Sequence, residues 1–177
     1  MSRGPGRIER AIEAAFLGSP SATFSVADLG PIAYPGLNQV EKRHRVAILR
    51  AADKVARRLW WRGGVSEHPG GSVIFFNLLD VRSYTMGKAR LDLVNGSLPI
   101  DLIETLLEPP RFGCPLRHRN QWDRMQPGGA YWLHVEMAKA QKAGDLVELE
   151  RLRCELHDGL DRQMAAKYPD RYGSANA

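Results

Sequence analysis

The chain has 177 residues, of which 44% are hydrophobic, 25% charged and 8% aromatic. This composition suits one ordinary domain or two small ones, and it excludes an intrinsically disordered protein and a coiled-coil rod. The longest apolar runs span four residues, as at 73–76, whereas a membrane span needs roughly 18. Two cysteines, Cys114 and Cys154, are too few for a disulfide scaffold. We therefore expect a reduced, cytoplasmic protein without a bilayer-spanning segment.

The net charge of +5 is concentrated in the first third of the chain. Residues 1–62 carry 11 Lys and Arg against 5 Asp and Glu. Segment 42–62 has Asp53 as its one acid, and its eight basic side chains are Lys42, Arg43, Arg45, Arg50, Lys54, Arg57, Arg58 and Arg62. Such a cluster is typical of a phosphate-binding surface, although a solvated helix face gives the same pattern.

Two helices are predicted before this cluster. Apolar residues at helical spacing predict the first over 7–17. Ser25, followed three residues later by Asp28, is a variant of the capping box and predicts the start of the second. The Gly-Pro pair at 30–31 is expected to end that second helix after one or two turns.

The basic cluster lies on a predicted third helix, over 39–60, which contains no Gly or Pro and has Asn38 as its expected N-cap. At about 100° per residue its apolar side chains fall within a sector of roughly 120°. The cations Arg43, Arg50, Lys54 and Arg57 gather on the opposite side. An ordinary solvated face mixes charges to gain i,i+4 pairs, and the shortage of acids here favours a binding surface.

Two aromatic and β-branched segments, 59–62 and 72–77, follow this helix and enclose a loop with four glycines. They predict a β-hairpin with a long tip. The order of helix, short helix, turn, basic helix and two-stranded ribbon resembles the winged helix-turn-helix superfamily over residues 7–79. The resemblance implies a mainly α fold with a small β-hairpin, and a third helix that enters the major groove of double-stranded DNA.

The chain beyond residue 91 has a different pattern. A short helix is predicted over 99–107, a loop-like stretch over 111–129, and two helices broken at Gly144, the second with leucines at three- and four-residue steps. The expected organisation is a winged helix-turn-helix domain at 1–91, a connector with one short helix at 92–129, and a helical hairpin with a frayed tail at 130–177. The hairpin either completes the core of the protein or forms a homodimer.

On the winged-helix interpretation, the residues of the basic helix divide by role. Contacts with base edges are expected from Gln39, Lys42, Arg43 and Arg50. Contacts with phosphates are expected from Lys54, Arg57 and Arg58. Arg62 is placed at the root of the wing.

Other functions compete with DNA binding as interpretations of this sequence. A protein-protein adaptor built on the same domain, without affinity for nucleic acid, is the main alternative, and RNA binding is the third. Two Cys-His pairs could in principle hold zinc together, namely Cys114 with His118 and Cys154 with His157. Nothing in the sequence requires the two pairs to lie close to each other. No phosphate loop or nucleophile elbow is present. We therefore expect a binding protein that is not an enzyme and has no cofactor or metal.

Overall fold

A computed structural model describes residues 6–37, 39–65, 72–94 and 105–169, without the side chains of residues 93 and 94. The protein is mainly helical and has a small three-stranded antiparallel sheet, which confirms the mainly α prediction. The predicted Asn38 cap, the hairpin tip over 66–71, most of the short helix over 99–107 and the tail beyond 169 lie outside the described residues. Thr105 and the two residues after it form a turn.

The elements follow one another along the chain in this order: α1 (Arg7–Gly18), β1 (Thr23–Ser25), α2 (Val26–Ala33), α3 (Lys42–Leu59), β2 (Trp61–Val65), β3 (Val73–Asn77), α4 (Val81–Val94), α5 (Leu116–Met125), α6 (Ala130–Ala143) and α7 (Leu146–Lys167).

The sheet has the strand order β1-β3-β2, with both pairs antiparallel. Phe75 at the centre of β3 is opposite Phe24 on one side and Gly63 on the other. The hairpin is present, but the prediction of two strands is incomplete, because β1 pairs with β3 as a third strand. At three residues β1 is too short to give a readable alternation of apolar and polar side chains.

One face of the sheet packs against α1, α2 and α3. Phe16 of α1 stacks on Trp61 of β2, with 4.1 Å between the ring centroids and 7° between the ring planes. Leu29 of α2 and Ile48 of α3 are fully buried in the same cluster. Aromatic pairs of this kind stabilise a core beyond the area that they bury, so the orientation of α3 is fixed by this cluster.

The capping of α2 is as predicted, but its end is not. The Ser25 hydroxyl accepts from the N–H of Asp28, and the Ser25 N–H donates to the Asp28 carboxylate at 2.7 Å. The helix continues through Pro31 to Ala33, so the prediction that the Gly-Pro pair ends it is wrong. Pro31 removes the intrahelical bond to the carbonyl of Ala27, an exposed residue at which water can replace that bond.

The long third helix exists, but α3 begins at Lys42, three residues later than predicted. Glu41 occupies the N-cap position, and its backbone N–H donates to Nδ1 of His44 at 3.3 Å. At the other end Trp60 has a φ of 60°, in the left-handed region. This reversal ends α3 and turns Trp61 inward to the core.

Helix α4, which no sequence pattern predicted, covers the other face of the sheet. Phe76 of β3 contacts Tyr84 of α4 edge to face, with ring centroids 5.6 Å apart. The helix contains Ser, Thr and Gly, which have low helix propensity, and it shows no strong apolar stripe. The readable signal was Asp80, whose carboxylate accepts from the N–H of Ser83 at 2.8 Å, as an N-cap residue does.

Arg90 ties α4 to the first part of the fold. Its guanidinium donates to the backbone carbonyl of Thr23 at 3.0 Å, to the Thr23 hydroxyl at 3.1 Å and to the Asp28 carboxylate at 2.8 Å. Burial acts to raise the pKa of Asp28, but hydrogen bonds from Ser25 and Arg90 outweigh it. The pKa therefore lies below its usual value of 3.8.

This lowered pKa predicts a pH dependence of stability. A carboxyl with a lower pKa in the folded protein stabilises the fold above its unfolded pKa of about 3.9, and the contribution is lost as the pH falls through the folded pKa. We expect the difference in urea midpoint between the wild type and Asp28→Asn to be largest near about pH 6 and to shrink below about pH 4. A difference that is equal at both pH values would contradict this assignment.

Helix α5 replaces the loop that was predicted over 111–129. Its buried positions are polar, His118 and Gln121, so the segment lacks the apolar stripe that indicates a helix. Nε2 of His118 lies 3.0 Å from the backbone carbonyl oxygen of Glu108, which gives the buried ring a partner. The loop prediction is wrong because the face that this helix buries is polar, so no apolar stripe marks the helix in the sequence.

The C-terminal helical hairpin is confirmed. Gly144, with a φ of 75°, separates α6 from α7, and Asp145 accepts from the N–H of Glu148 at 2.9 Å. The leucine stripe of α7 is buried at Leu149 and Leu152. Its continuation is 46% exposed at Leu160. Self-association through this helix stays a prediction.

No helix among the described residues combines the length and the apolar character that a bilayer crossing requires.

Candidate nucleic-acid interface

The two faces of α3 differ in burial as the helical projection predicts. Its buried residues are Ile48, Ala51, Ala52, Val55 and Ala56. The exposed cations outside that buried face are Lys42, Arg43, Arg45, Arg50, Lys54, Arg57 and Arg58. The apolar core thus holds the helix so that a row of cations faces solvent.

Two of these cations are bound to α1. Nζ of Lys54 lies 2.9 Å from the carboxylate of Glu9, and the guanidinium of Arg58 lies 2.8 Å from that of Glu13. Both glutamates are largely buried, with side chains 18% and 27% exposed. No sequence pattern indicates these pairs, because the partners are 45 residues apart and meet only through the packing of α1 on α3.

Two further cations have partners close in sequence. Arg43 pairs with Glu41 at 2.9 Å, and Arg57 pairs with Asp53 one turn away at 2.8 Å. All four side chains are more than half exposed. Exposed pairs of this kind contribute little to stability and are readily exchanged, so these two arginines are available to a phosphate.

Lys42, Arg45 and Arg50 are the least compensated exposed cations of α3. Within the described ranges, none of the three has a carboxylate oxygen within ion-pair distance. Gln39, which is also exposed, lies just before the first turn of the helix. The N-terminal half of α3 therefore carries the positive charge that no part of the described fold neutralises.

Arg62 lies apart from this surface. In a strand successive side chains point to opposite faces. Because Trp61 points into the core against α1, Arg62 points to the face covered by α4. There its positive charge lies close enough to Tyr84 and to His134 of α6 to affect the pKa values of both side chains. The structure therefore does not bring Arg62 together with the other predicted contact residues.

Two cations, Lys88 and Arg62, lie near His134, a grouping that no sequence pattern indicates. The pKa of His134 is lowered, first because the ring is partly buried and then because Lys88 and Arg62 are nearby. The ring also stacks on Tyr84, with centroids 5.8 Å apart. These residues come from β2, α4 and α6, and only the fold places them together.

The two Cys-His pairs do not form a metal-binding site. Among the described residues no group of three or more His, Cys, Asp or Glu side chains is arranged to hold a metal ion. Cys154 is exposed on α7, and His118 is buried on α5 beside the Glu108 carbonyl.

Comparison of the chain with family models, with curated proteins and with solved structures gives no match.

Proposed function

We propose that this chain is a DNA-binding protein of the winged helix-turn-helix type and that α3 enters the major groove of a duplex. The observation that carries the proposal is the row of exposed cations along α3, in which Lys42 and Arg50 have no carboxylate partner within the described ranges. The order of the first six elements, with the antiparallel hairpin β2-β3 directly after the basic helix, supports it.

The dimensions of α3 suit this role. A helix with its side chains is about 10–12 Å across, and the major groove is about 12 Å wide. Arginine can donate two hydrogen bonds to one guanine, and glutamine can bond in the same way to adenine. We assign base contacts to Gln39, Lys42, Arg43 and Arg50, which lie in or just before the N-terminal half of the helix.

Phosphate contacts are assigned chiefly to Arg57, whose pair with Asp53 is exposed. Lys54 and Arg58 contribute less in this proposal, since Glu9 and Glu13 already neutralise them. Such a protein acts by binding and carries out no chemistry. Regulation of transcription, or an accessory role in replication or in a mobile element, fits this mode of action.

A titration with duplex DNA tests the proposal. We expect the affinity of the full chain for a labelled duplex of random sequence, measured by fluorescence anisotropy, to fall about 100-fold between about 50 and 200 mM salt. On a duplex of random sequence four of the cations that α1 does not neutralise, Lys42, Arg43, Arg50 and Arg57, would each contact a phosphate. Four neutralised phosphates would give a fall of this size, because each contributes about 0.9 to the logarithmic salt slope. No binding at the lower salt concentration, or an affinity that does not depend on salt, would exclude the assignment of α3.

A further inference from the structure

A groove beside α3 shares Gln39 with the proposed DNA-binding surface, but DNA binding does not explain its apolar lining. It has a volume of about 480 Å³ and lies between α2, the first two turns of α3 and the start of β3. Its apolar lining includes Val26, Val40, Leu49 and Val73. Sites for small molecules are mostly apolar concavities of roughly this size, about 300–1,000 Å³, with a few polar groups that orient the ligand.

The charged side chain that lines the groove is Arg45. It is exposed, and no carboxylate oxygen in the described part of the chain pairs with it. The nearest acids along the chain have other partners: Glu41 pairs with Arg43, and Asp53 pairs with Arg57. The groove thus combines an apolar surface with one uncompensated guanidinium group.

We propose that this groove binds a small amphipathic organic acid. Its carboxylate pairs with Arg45, which offers two parallel N–H donors to such a group. Its apolar part lies on Val26, Leu49 and Val73, where it is removed from water. A single cation does not balance a polyphosphate, and the lining has no carboxylate to bind a metal ion. An amphipathic monoanion matches both the charge and the apolar surface.

A ligand in this position would touch three elements at once. Val26 belongs to α2, Arg45 and Leu49 belong to α3, and Val73 begins the strand that follows the hairpin tip. The ligand would therefore hold α3 against its neighbours. The inference does not rest on DNA binding, because the groove can be tested without DNA.

The probe for this test is 2-naphthoate, with neutral 2-naphthamide as its match in shape. In a titration of the ¹⁵N-labelled full chain, followed by NMR, we expect shifts of the amides of Val26, Leu49 and Val73. We expect the acid to bind at least about tenfold more tightly than the amide, the ratio typical of a charged hydrogen bond. Equal binding of the two compounds, or shifts confined to other parts of the molecule, would overturn the proposal.

Variants separate the two parts of the site. Arg45→Gln should weaken naphthoate binding about tenfold, whereas Arg82→Gln, which removes an exposed charge from α4, should leave it unchanged. Ala27→Trp places an indole on an exposed position of the groove lining and should abolish binding of both compounds. Unchanged naphthoate binding in either Arg45→Gln or Ala27→Trp would show that the ligand is elsewhere.

Discussion

Replacing Lys42 and Arg50 together by glutamine should weaken duplex binding about 100-fold, since each charged contact is worth about a factor of ten. Both side chains are exposed on α3 and lack carboxylate partners among the described residues, so their positive charge is free to meet phosphates or guanine. Glutamine keeps the helix propensity, and both positions are outside the core. The expected loss is therefore a loss of binding and not of folding.

The matched control removes the same number of charges from the same helix. Lys54→Gln with Arg58→Gln should weaken duplex binding by less than about fivefold, because in the free protein these cations are paired with Glu9 and Glu13. Anisotropy titrations at one salt concentration compare the two double variants directly. Equal losses in both would mean that net charge alone determines binding and that the exposed row on α3 has no special part in it.

Replacing Gly87 by alanine should destabilise the fold by about 3 kcal/mol, which is the upper part of the usual range for overpacking a core. A Cβ atom at this position of α4 would lie 2.4 Å from Cγ of Phe76, a residue that is 2% exposed between the sheet and α4. In an exposed helix the same substitution gains up to about 1 kcal/mol. Here the collision with a buried ring outweighs that gain.

Gly159 provides the contrast within the same chain. It is also inside a helix, α7, but a Cβ atom there would meet nothing within 4 Å. Gly159→Ala should therefore stabilise the protein by about 0.5–1 kcal/mol. Urea unfolding followed by circular dichroism measures both changes. A Gly87→Ala variant as stable as the wild type would show that α4 does not pack on Phe76 as described.

The parts of the fold that could be predicted are those with strong local signals. Helix α3 has an apolar face and a cationic face, and the break between α6 and α7 is marked by Gly144 and Asp145. The elements that could not be predicted have weak local signals. Strand β1 has three residues, α4 has poor helix formers, and α5 buries His118 and Gln121 in place of leucines.

The candidate site follows the same division. The outward face of α3 is readable from the 3.6-residue period, but the neutralisation of Arg58 by Glu13 depends on how α1 packs, which no local pattern records. Trp61 and Arg62 are neighbours in β2, so their side chains point to opposite faces of the sheet, and the sequence does not say which of the two points into the core. A cation count along the chain therefore overestimates the charge available to a ligand.

The central strand has one further consequence. Phe75 and Phe76 are neighbours in the chain, yet Phe75 belongs to the cluster under α1 and α3, and Phe76 belongs to the cluster with Tyr84 and Tyr131. A fragment cut at Leu79 would keep every element of the proposed winged helix and would leave the ring of Phe76 in water. Transplanting the unit onto another protein, by engineering or by gene fusion, would have to carry α4 with it.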